Sequence, residues 1–315
     1  MCSAISDRSF PAIAIVVCLA TGMISSDAQA QSAAKAEAAY RKGLMHIAMK
    51  ETDKAIEAFE EAIRLAPDVK YQVKVYRGLL PFYRTLDDVH PMFTALEFLI
   101  THSDRKAERS LKRTELLSFA FQRGKVNLLR ERCELRIANV PDDPAALWLL
   151  ADIYDRHMPN PTRGVEIGER LVEVLAKTQK EPDTRAASQL ARQYGKTGEW
   201  QKSALLWEKI APLEKRETAH HLMWAAKAWL KIKEKDKALA AAKKSAASPP
   251  EKRSELLTYF WHAGIAEVFM ETAEFKLAIE HFEKALEHTN IEGYRKKCEG
   301  QIAAARMKLK KKDQQ

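Results

Sequence analysis

The sequence of 315 residues predicts an all-α fold, an α-solenoid built from repeated antiparallel helix pairs. Glycine is rare, with 11 residues in the chain, which is about half of its usual frequency. Small and aromatic residues return together at helical spacing, and prolines follow where a second helix should end. No Gly/Ser-rich or Pro-rich linker interrupts this pattern, so the sequence predicts one continuous domain over 31–315.

The first copy of the pattern lies in 36–69 and predicts two amphipathic helices around a tight turn. Gly43 is followed by Ala55, Phe59, Ala62 and Pro67. Small residues let two helices approach closely, an aromatic ring fills the space beside them, and proline ends the second helix. The stretch resembles the tetratricopeptide repeat family, whose signature runs from an aromatic residue through Leu-Gly and Tyr to Ala, an aromatic residue and Pro over about 34 residues. The resemblance implies a scaffold with a binding surface.

The pattern predicts about seven copies and a final helix. After the first copy they are expected at 71–103, 108–143, 144–183, 184–217, 219–252 and 259–292. The fifth and last copies match the family well, whereas the second to fourth are inferred from phase and spacing. A helix over 291–312, apolar on one side and Lys/Arg-rich on the other, is predicted to cap the last copy.

The third copy is the weakest match to the pattern, whereas the fourth copy has a clear start. In the third copy, Leu117, Ala120 and Phe121 are expected to share the packing face. The fourth begins at Asp143 and Pro144, a capping residue followed by a proline in the first helical position. We therefore expect a helix to start at Pro144.

The first thirty residues are expected to be a secretory signal peptide. Arg8 precedes an apolar run over 10–24, and Ala28-Gln29-Ala30 has the pattern of a cleavage site. The apolar run is shorter than the roughly 20 residues of a spanning helix, so an uncleaved membrane anchor is the less favoured alternative. Cleavage after Ala30 would give an exported chain, periplasmic or secreted, and its mature part is expected to have no membrane span.

Two of the four cysteines, Cys2 and Cys18, would leave with the signal peptide. Cys133 and Cys298 remain, and several predicted repeats separate them. With stacked helices about 8–10 Å apart, they should lie much farther apart than the roughly 5.5 Å between Cα atoms of a disulfide. We expect two separate buried thiols, a disulfide being the alternative.

No motif in the chain predicts catalysis, a cofactor or a metal site. There is no HExxH, GxSxG or GxGxxG. A metal site normally needs three or four convergent ligands, and the histidines, including His281 and His288, are expected to be packing or solvated residues. The sequence therefore predicts no catalytic residues, no cofactor and no metal.

The predicted binding surface is the face of the first helices that points away from the packing stripe. Arg185, Arg192 and Lys196 share a face of one helix, and Lys227 and Lys231 repeat this spacing in the next copy. They would make a groove that is basic in its middle, with acidic neighbours at Asp152, Asp155 and Glu267 and aromatic anchors at Trp148, Trp224 and Trp261. Ordinary solvated charge is the alternative.

These features predict a non-catalytic protein- or peptide-binding scaffold or adaptor of the cell envelope, with acidic partner segments fitting the basic groove. The chain carries a formal net charge of +9, mostly as charges that alternate in sign along helix faces. No nucleic-acid partner is expected. The alternative is a binder of polyanions, acidic glycans or lipid head groups, through the groove and the Lys-rich tail that begins at Lys308.

We predict that the exported protein begins at Gln31, because cleavage should follow Ala30. N-terminal sequencing of protein recovered from outside the cytoplasm would check this. A first residue of Met1 in that fraction would contradict the signal peptide.

Overall fold

The structure, a computed structural model, describes residues 26–178, 182–250 and 254–314, so the predicted signal segment before Ser26 lies outside it. The described residues contain helices and turns and no strand. The α-helices are α1 (Ser26–Ala48), α2 (Thr52–Arg64), α3 (Val69–Tyr83), α4 (His90–His102), α5 (Lys106–Gln122), α6 (Val126–Asn139), α7 (Pro144–Asp152), α8 (Pro161–Thr178), α9 (Thr184–Thr197), α10 (Trp200–Ile210), α11 (Thr218–Lys231), α12 (Lys235–Ala246), α13 (Glu255–Glu271), α14 (Phe275–Glu287) and α15 (Glu292–Asp313). The predicted all-α fold of consecutive helix pairs is confirmed.

The chain divides into two compact units between Ser103 and Asp104, where the sequence predicts one continuous solenoid. The N-terminal unit holds the helix pairs α1–α2 and α3–α4. Gly43 packs so closely against Phe59 that a Cβ atom on it would lie 2.7 Å from the ring. Phe59 is fully buried, so the small residue is needed for α1 and α2 to approach each other.

The C-terminal unit contains the pairs from α5–α6 to α13–α14, followed by α15. Asp143 caps α7 by accepting from the backbone N–H groups of Ala145 and Ala146 at 2.8 and 3.1 Å, as the sequence predicts. Asp183 caps α9 in the same way. These carboxylates satisfy backbone donors that a helix leaves without partners at its start.

The third and fourth copies depart from the regular pattern. Phe121 is 64% exposed, although the sequence placed it on the packing face. The buried stripe of α5 is centred on Leu116 and Ala120, so Phe121 lies beyond its edge. In the fourth copy, α7 continues into a π-helical turn over Ile153–His157 before α8 begins.

The turn between the two helices of a pair uses a left-handed backbone at an equivalent position in several copies. The residues with positive φ are Lys50, Gly124, Gly198, Lys233 and Ala273. Glycine adopts this conformation without a steric penalty, and Gly198 ends α9 with φ of 85°. The turn geometry is therefore repeated even where the sequence has lost its glycine.

At four junctions between successive helix pairs, an aromatic side chain donates a hydrogen bond to a glutamate. The aromatic group lies near the end of a first helix, and the glutamate lies on the second helix of the preceding pair. The bonds are Tyr83–Glu60 at 3.1 Å, Tyr154–Glu134 at 2.7 Å, Tyr194–Glu169 at 2.7 Å and Trp229–Glu208 at 2.9 Å. Burial, followed by the bond to Glu169, raises the pKa of the Tyr194 hydroxyl. This contact, which the sequence pattern did not predict, satisfies each polar tip at a buried interface.

Two buried serines lie on second helices, Ser203 on α10 and Ser245 on α12. Ser203 Oγ donates to the carbonyl of Ala191 at 2.8 Å, and Ser245 Oγ donates to the carbonyl of Ala219 at 2.6 Å. Ser245 also accepts from the indole Nε1 of Trp261 at 2.9 Å. Ser245 therefore joins three helices, whereas Ser203 joins two.

The last helix, α15, covers the apolar side of the pair α13–α14, as predicted for a cap. Its residues Cys298, Ile302 and Ala305 are buried. Cys133 and Cys298 are both buried free thiols, so the expectation of two separate thiols is confirmed. None of the helices in the described part of the chain combines the length and the apolar character needed to cross a bilayer.

We predict that Ser245→Ala destabilises the protein more than Ser203→Ala does. Each replacement removes one bond to a helix carbonyl, which should cost about 1 kcal/mol. Ser245→Ala also leaves the buried Trp261 N–H without an acceptor, so its total cost should be about 2–3 kcal/mol. Urea denaturation midpoints would measure the difference, and equal shifts would show that the bond from Trp261 contributes nothing.

Candidate functional site

The face predicted to bind a partner lies on the first helices of the C-terminal unit, and we call it the first-helix face. Its members come from α7 and the π-helical turn, α9, α11 and α13. They are Trp148, Asp152, Asp155, Arg185, Arg192, Lys196, Trp224, Lys227, Lys231 and Glu267.

The basic residues of α9 do not form a free positive surface, because they pair with the acidic residues of the preceding copy. Lys196 Nζ lies 2.7 Å from Asp155 Oδ1, and Arg192 Nη2 lies 3.4 Å from Asp155 Oδ2. Gln193 Nε2 donates to the same carboxylate at 2.6 Å. The Asp155 side chain is only 8% exposed, so its charge is compensated within the protein.

Asp152 is the second buried acid of this face. It is 3% exposed, and it forms an ion pair with Arg156. Gln189 Nε2 donates to it at 3.5 Å, and the Arg185 guanidinium lies 3.9 Å away. The acidic and basic patches of the sequence prediction are therefore brought together as cross-helix ion pairs.

Lys227 is compensated in the same manner by the last copy. Lys227 Nζ and Lys297 Nζ each lie 2.9 Å from a carboxylate oxygen of Glu267. Burial opposes ionisation of Glu267, but the hydrogen bonds from Lys297 and Lys227 outweigh it, so its pKa lies below the usual value. The structure thus adds Lys297 of α15, which the sequence analysis had assigned only to a cap, to the first-helix face.

The three candidate aromatic anchors have different environments. Trp148 and Trp261 are buried, with 6% and 2% exposed, so they cannot serve as exposed anchors. Trp224 is 48% exposed, and Lys227 Nζ lies 5.6 Å from its ring centroid. Only Trp224 among these three has the accessibility that was expected.

A further exposed aromatic residue lies on the neighbouring first helix. Phe260 of α13 is 44% exposed, and its ring lies 5.5 Å from that of Tyr294 on α15. Packing of Gly264 against Met223 and the Lys227–Glu267 pair fix the register of α11 beside α13. Phe260 was not predicted as a site residue, because aromatic residues of α13 lie both on the packing stripe and on the open face and the sequence does not separate them.

Lys231 is a basic residue of this face that has no ion pair among the described residues. It is exposed and lies 5.8 Å from the Trp200 ring centroid, and it forms no ion pair with a residue that the structure describes. The first-helix face therefore presents few uncompensated charges, and its open part holds Trp224 and Phe260, with Lys227 beside the Trp224 ring.

Two arginines lie close to the ring of Trp148. The Arg113 guanidinium carbon lies 4.1 Å from its ring centroid, and that of Arg185 lies 5.5 Å away. Both distances are within the range of cation–π attraction. The sequence analysis did not single out Arg113, although Arg109 and Arg113 lie four residues apart on one face of α5.

Two buried histidines contact each other between α13 and α14. The Nδ1 atoms of His262 and His281 are 3.0 Å apart, so one ring must donate and the other accept. The pKa of His262 is lowered to about 3, by burial first and then by the neighbouring His281, His288 and Lys284, while Glu280 opposes them. The pKa of His281 is lowered to about 4, by burial and then by Lys284, again against Glu280.

His262 and His281 are buried among packing residues. No group of three or more His, Cys, Asp or Glu side chains within the described ranges is placed to hold a metal ion. His288 instead pairs with Glu255, Nδ1 to Oε2, at 2.6 Å.

Residues 36–69 match the model of the tetratricopeptide repeat. This match coincides with the first helix pair of the structure and with the first copy seen in the sequence, so the chain's resemblance to that family is confirmed. No curated protein is similar enough in sequence to match the chain.

Several solved structures are similar to this chain. A tetratricopeptide repeat protein from Parabacteroides merdae is 14% identical with a TM-score of 0.39, over 87% of this chain and 99% of its own. MamA 41-end from Desulfovibrio magneticus RS-1 is 15% identical with a TM-score of 0.44, over 56% of this chain and 92% of its own. A further structure of MamA is 17% identical with a TM-score of 0.43, over 54% of this chain and 91% of its own. At these values none of them says what this chain binds.

We predict that the protein loses stability as the pH falls from about 6.5 towards 4. The folded state keeps His262 and His281 neutral, whereas unfolded histidines take up protons near pH 6.5. Each proton bound only by the unfolded chain lowers the free energy of unfolding by about 1.4 kcal/mol per pH unit. The stabilisation is therefore complete above pH 6.5 and lost below it.

Denaturation midpoints measured between pH 7.5 and 4.5 would check this, with His262→Gln as the test variant. The slope of midpoint against pH should be flatter in His262→Gln than in the native protein. His157→Gln, which changes a histidine outside the buried pair, should keep the native slope. A native slope in His262→Gln would contradict the prediction.

Proposed function

We propose that this tetratricopeptide-repeat protein is a non-catalytic scaffold that binds other proteins through the exposed aromatic part of its first-helix face. The observation that carries the proposal is the pair of half-exposed aromatic rings, Trp224 on α11 and Phe260 on α13. These helices are neighbours, and most other members of the face are buried or ion-paired.

Two properties of this surface favour a polypeptide partner. Exposed aromatic side chains bury much apolar area when a partner covers them, and they often dominate binding energy. Lysines lie on the same face: Lys227 lies beside Trp224 and shares Glu267 with Lys297, and Lys231 of α11 forms no ion pair with a described residue. A partner segment with an apolar anchor and acidic residues nearby complements both features.

We place this scaffold in the cell envelope on the strength of the predicted signal peptide. The apolar run over 10–24 and the Ala28-Gln29-Ala30 pattern support export. Partners would then be envelope or secreted proteins.

A second candidate function is the binding of polyanions such as acidic glycans or lipid head groups. One observation favours it: the end of α15 carries four exposed lysines at positions 308, 310, 311 and 312. Attachment through such a cluster weakens steeply as salt rises, whereas a packed aromatic interface depends less on salt.

Crosslinking and capture from an envelope fraction would test the proposed function. We expect the double variant Trp224→Ala/Phe260→Ala to lose most of the proteins captured by the native chain, because its apolar anchors are gone. Both rings are half exposed, so the variant should fold normally.

Phe121→Ala provides a matched control, since Phe121 is an exposed aromatic residue of the same unit that lies on α5. It should capture the native set. Equal capture by the double variant and the native protein would refute the proposed surface. Loss of capture only after the four lysines at the end of α15 are changed to glutamine, with a steep dependence on salt, would favour the polyanion binder.

A further inference from the structure

Arg113 of α5 has a hydrogen-bond donor that the described chain does not satisfy. Its Nε atom is buried, and no acceptor from the described residues reaches it. Its guanidinium lies against the ring of Trp148 at 4.1 Å. A buried N–H without an acceptor costs free energy, so a ligand that brings an acceptor to this guanidinium would be bound favourably.

Arg185 of α9 approaches the same ring from the neighbouring copy. Its Cζ atom lies 5.5 Å from the Trp148 centroid, and Nη1 donates to Ser110 Oγ at 3.1 Å. Its ion pair with Asp152 is long, at 3.9 Å. The Arg185 side chain is 49% exposed, so the space beside it is accessible from solvent.

The charges around Trp148 favour an incoming anion. The pKa of Arg113 is lowered to about 10, by burial first and then by the neighbouring charges of Arg185 and Arg109, which indicates repulsion between these cations. Asp152 and Asp183 oppose this effect. Both acids are already engaged, Asp152 by its buried ion pair and Asp183 as the cap of α9. One added negative charge would relieve the remaining repulsion.

We propose that Arg113 and Arg185 form a binding site for a single carboxylate group beside Trp148, and that an acidic side chain of a partner polypeptide supplies it. The source of the carboxylate rests on the proposed function, whereas the site itself does not. The planar guanidinium groups offer paired donors that match a carboxylate, while their faces remain against the indole ring.

Nitrogen-15 spectra of the arginine side chains provide a direct test. The buried Nε–H of Arg113 should exchange slowly with water and give a resolved signal, which its loss in Arg113→Lys identifies. Replacing chloride by acetate at constant ionic strength should shift this signal saturably. Inorganic phosphate should compete less well than a carboxylate, and a preference for phosphate would overturn the assignment.

Capped peptides then separate the possible sources of the carboxylate. Acetylated and amidated hexaglutamate should bind, measured by fluorescence anisotropy of a labelled peptide, while capped hexaglutamine should not. Hexaglutamine with a free C-terminus should bind no better than its capped form, and binding of that peptide alone would overturn the side-chain assignment. Arg113→Gln or Arg185→Gln should weaken hexaglutamate binding about tenfold.

Arg170→Gln is the matched control, because Arg170 is a partly exposed arginine of the same unit that pairs with Asp142 at 3.5 Å. It should bind hexaglutamate like the native protein. Equal weakening in Arg170→Gln would show general electrostatic attraction and overturn the site. The acetate titration involves no partner protein, so a failure of the proposed scaffold function would leave its outcome unchanged.

Discussion

The hydrogen bond between an aromatic tip and a glutamate of the preceding helix pair is the contact on which the order of the helices depends. It is made by Tyr83, Tyr154, Tyr194 and Trp229. Apolar contacts alone tolerate sliding of one helix along another, because dispersion and burial have little directionality. A donor that would otherwise be buried without a partner fixes the position of a first helix along its neighbour. The part of the first-helix face on α7, α9 and α11 inherits its register from these bonds, whereas α13 is held beside α11 by Gly264 and the Lys227–Glu267 pair.

The fold was predictable because its signals are local. Gly43, Phe59 and Pro67 mark a helix pair within one stretch of chain, and Asp143 marks a helix start by itself. The candidate site was only partly predictable. Lys196 and Asp155 are 41 positions apart, and their pairing depends on how two helices align, which spacing within one helix does not reveal. The prediction that Phe121 packs in the core was wrong for a related reason, because the packing stripe of its helix is centred on other residues.

The cross-helix ion pairs change what the basic residues of this face can do. A carboxylate as buried as that of Asp155 is stable only with its partners, and removal of one partner should cost more than an exposed pair contributes. Charge reversal at Arg192 or Lys196 would place a glutamate against Asp155 and disturb folding together with binding. Their spacing in the sequence shows only that they share a helix face and does not reveal this dependence. The exposed aromatic rings and the arginines around Trp148 are therefore the more informative places to test recognition.

The different interfaces also limit how this chain could have been shortened or extended during evolution. Phe269 of α13 lies at the place that Tyr194 and Trp229 occupy in earlier copies, but it has no polar tip. The polar contact between α12 and α13 is instead the hydrogen bond from Trp261 to Ser245. The junction between α12 and α13 thus differs in chemistry from those closed by a bond to glutamate. Removal of the pair α11–α12 would leave the buried Trp261 N–H without Ser245 as its acceptor. This copy is therefore not an interchangeable module of the chain.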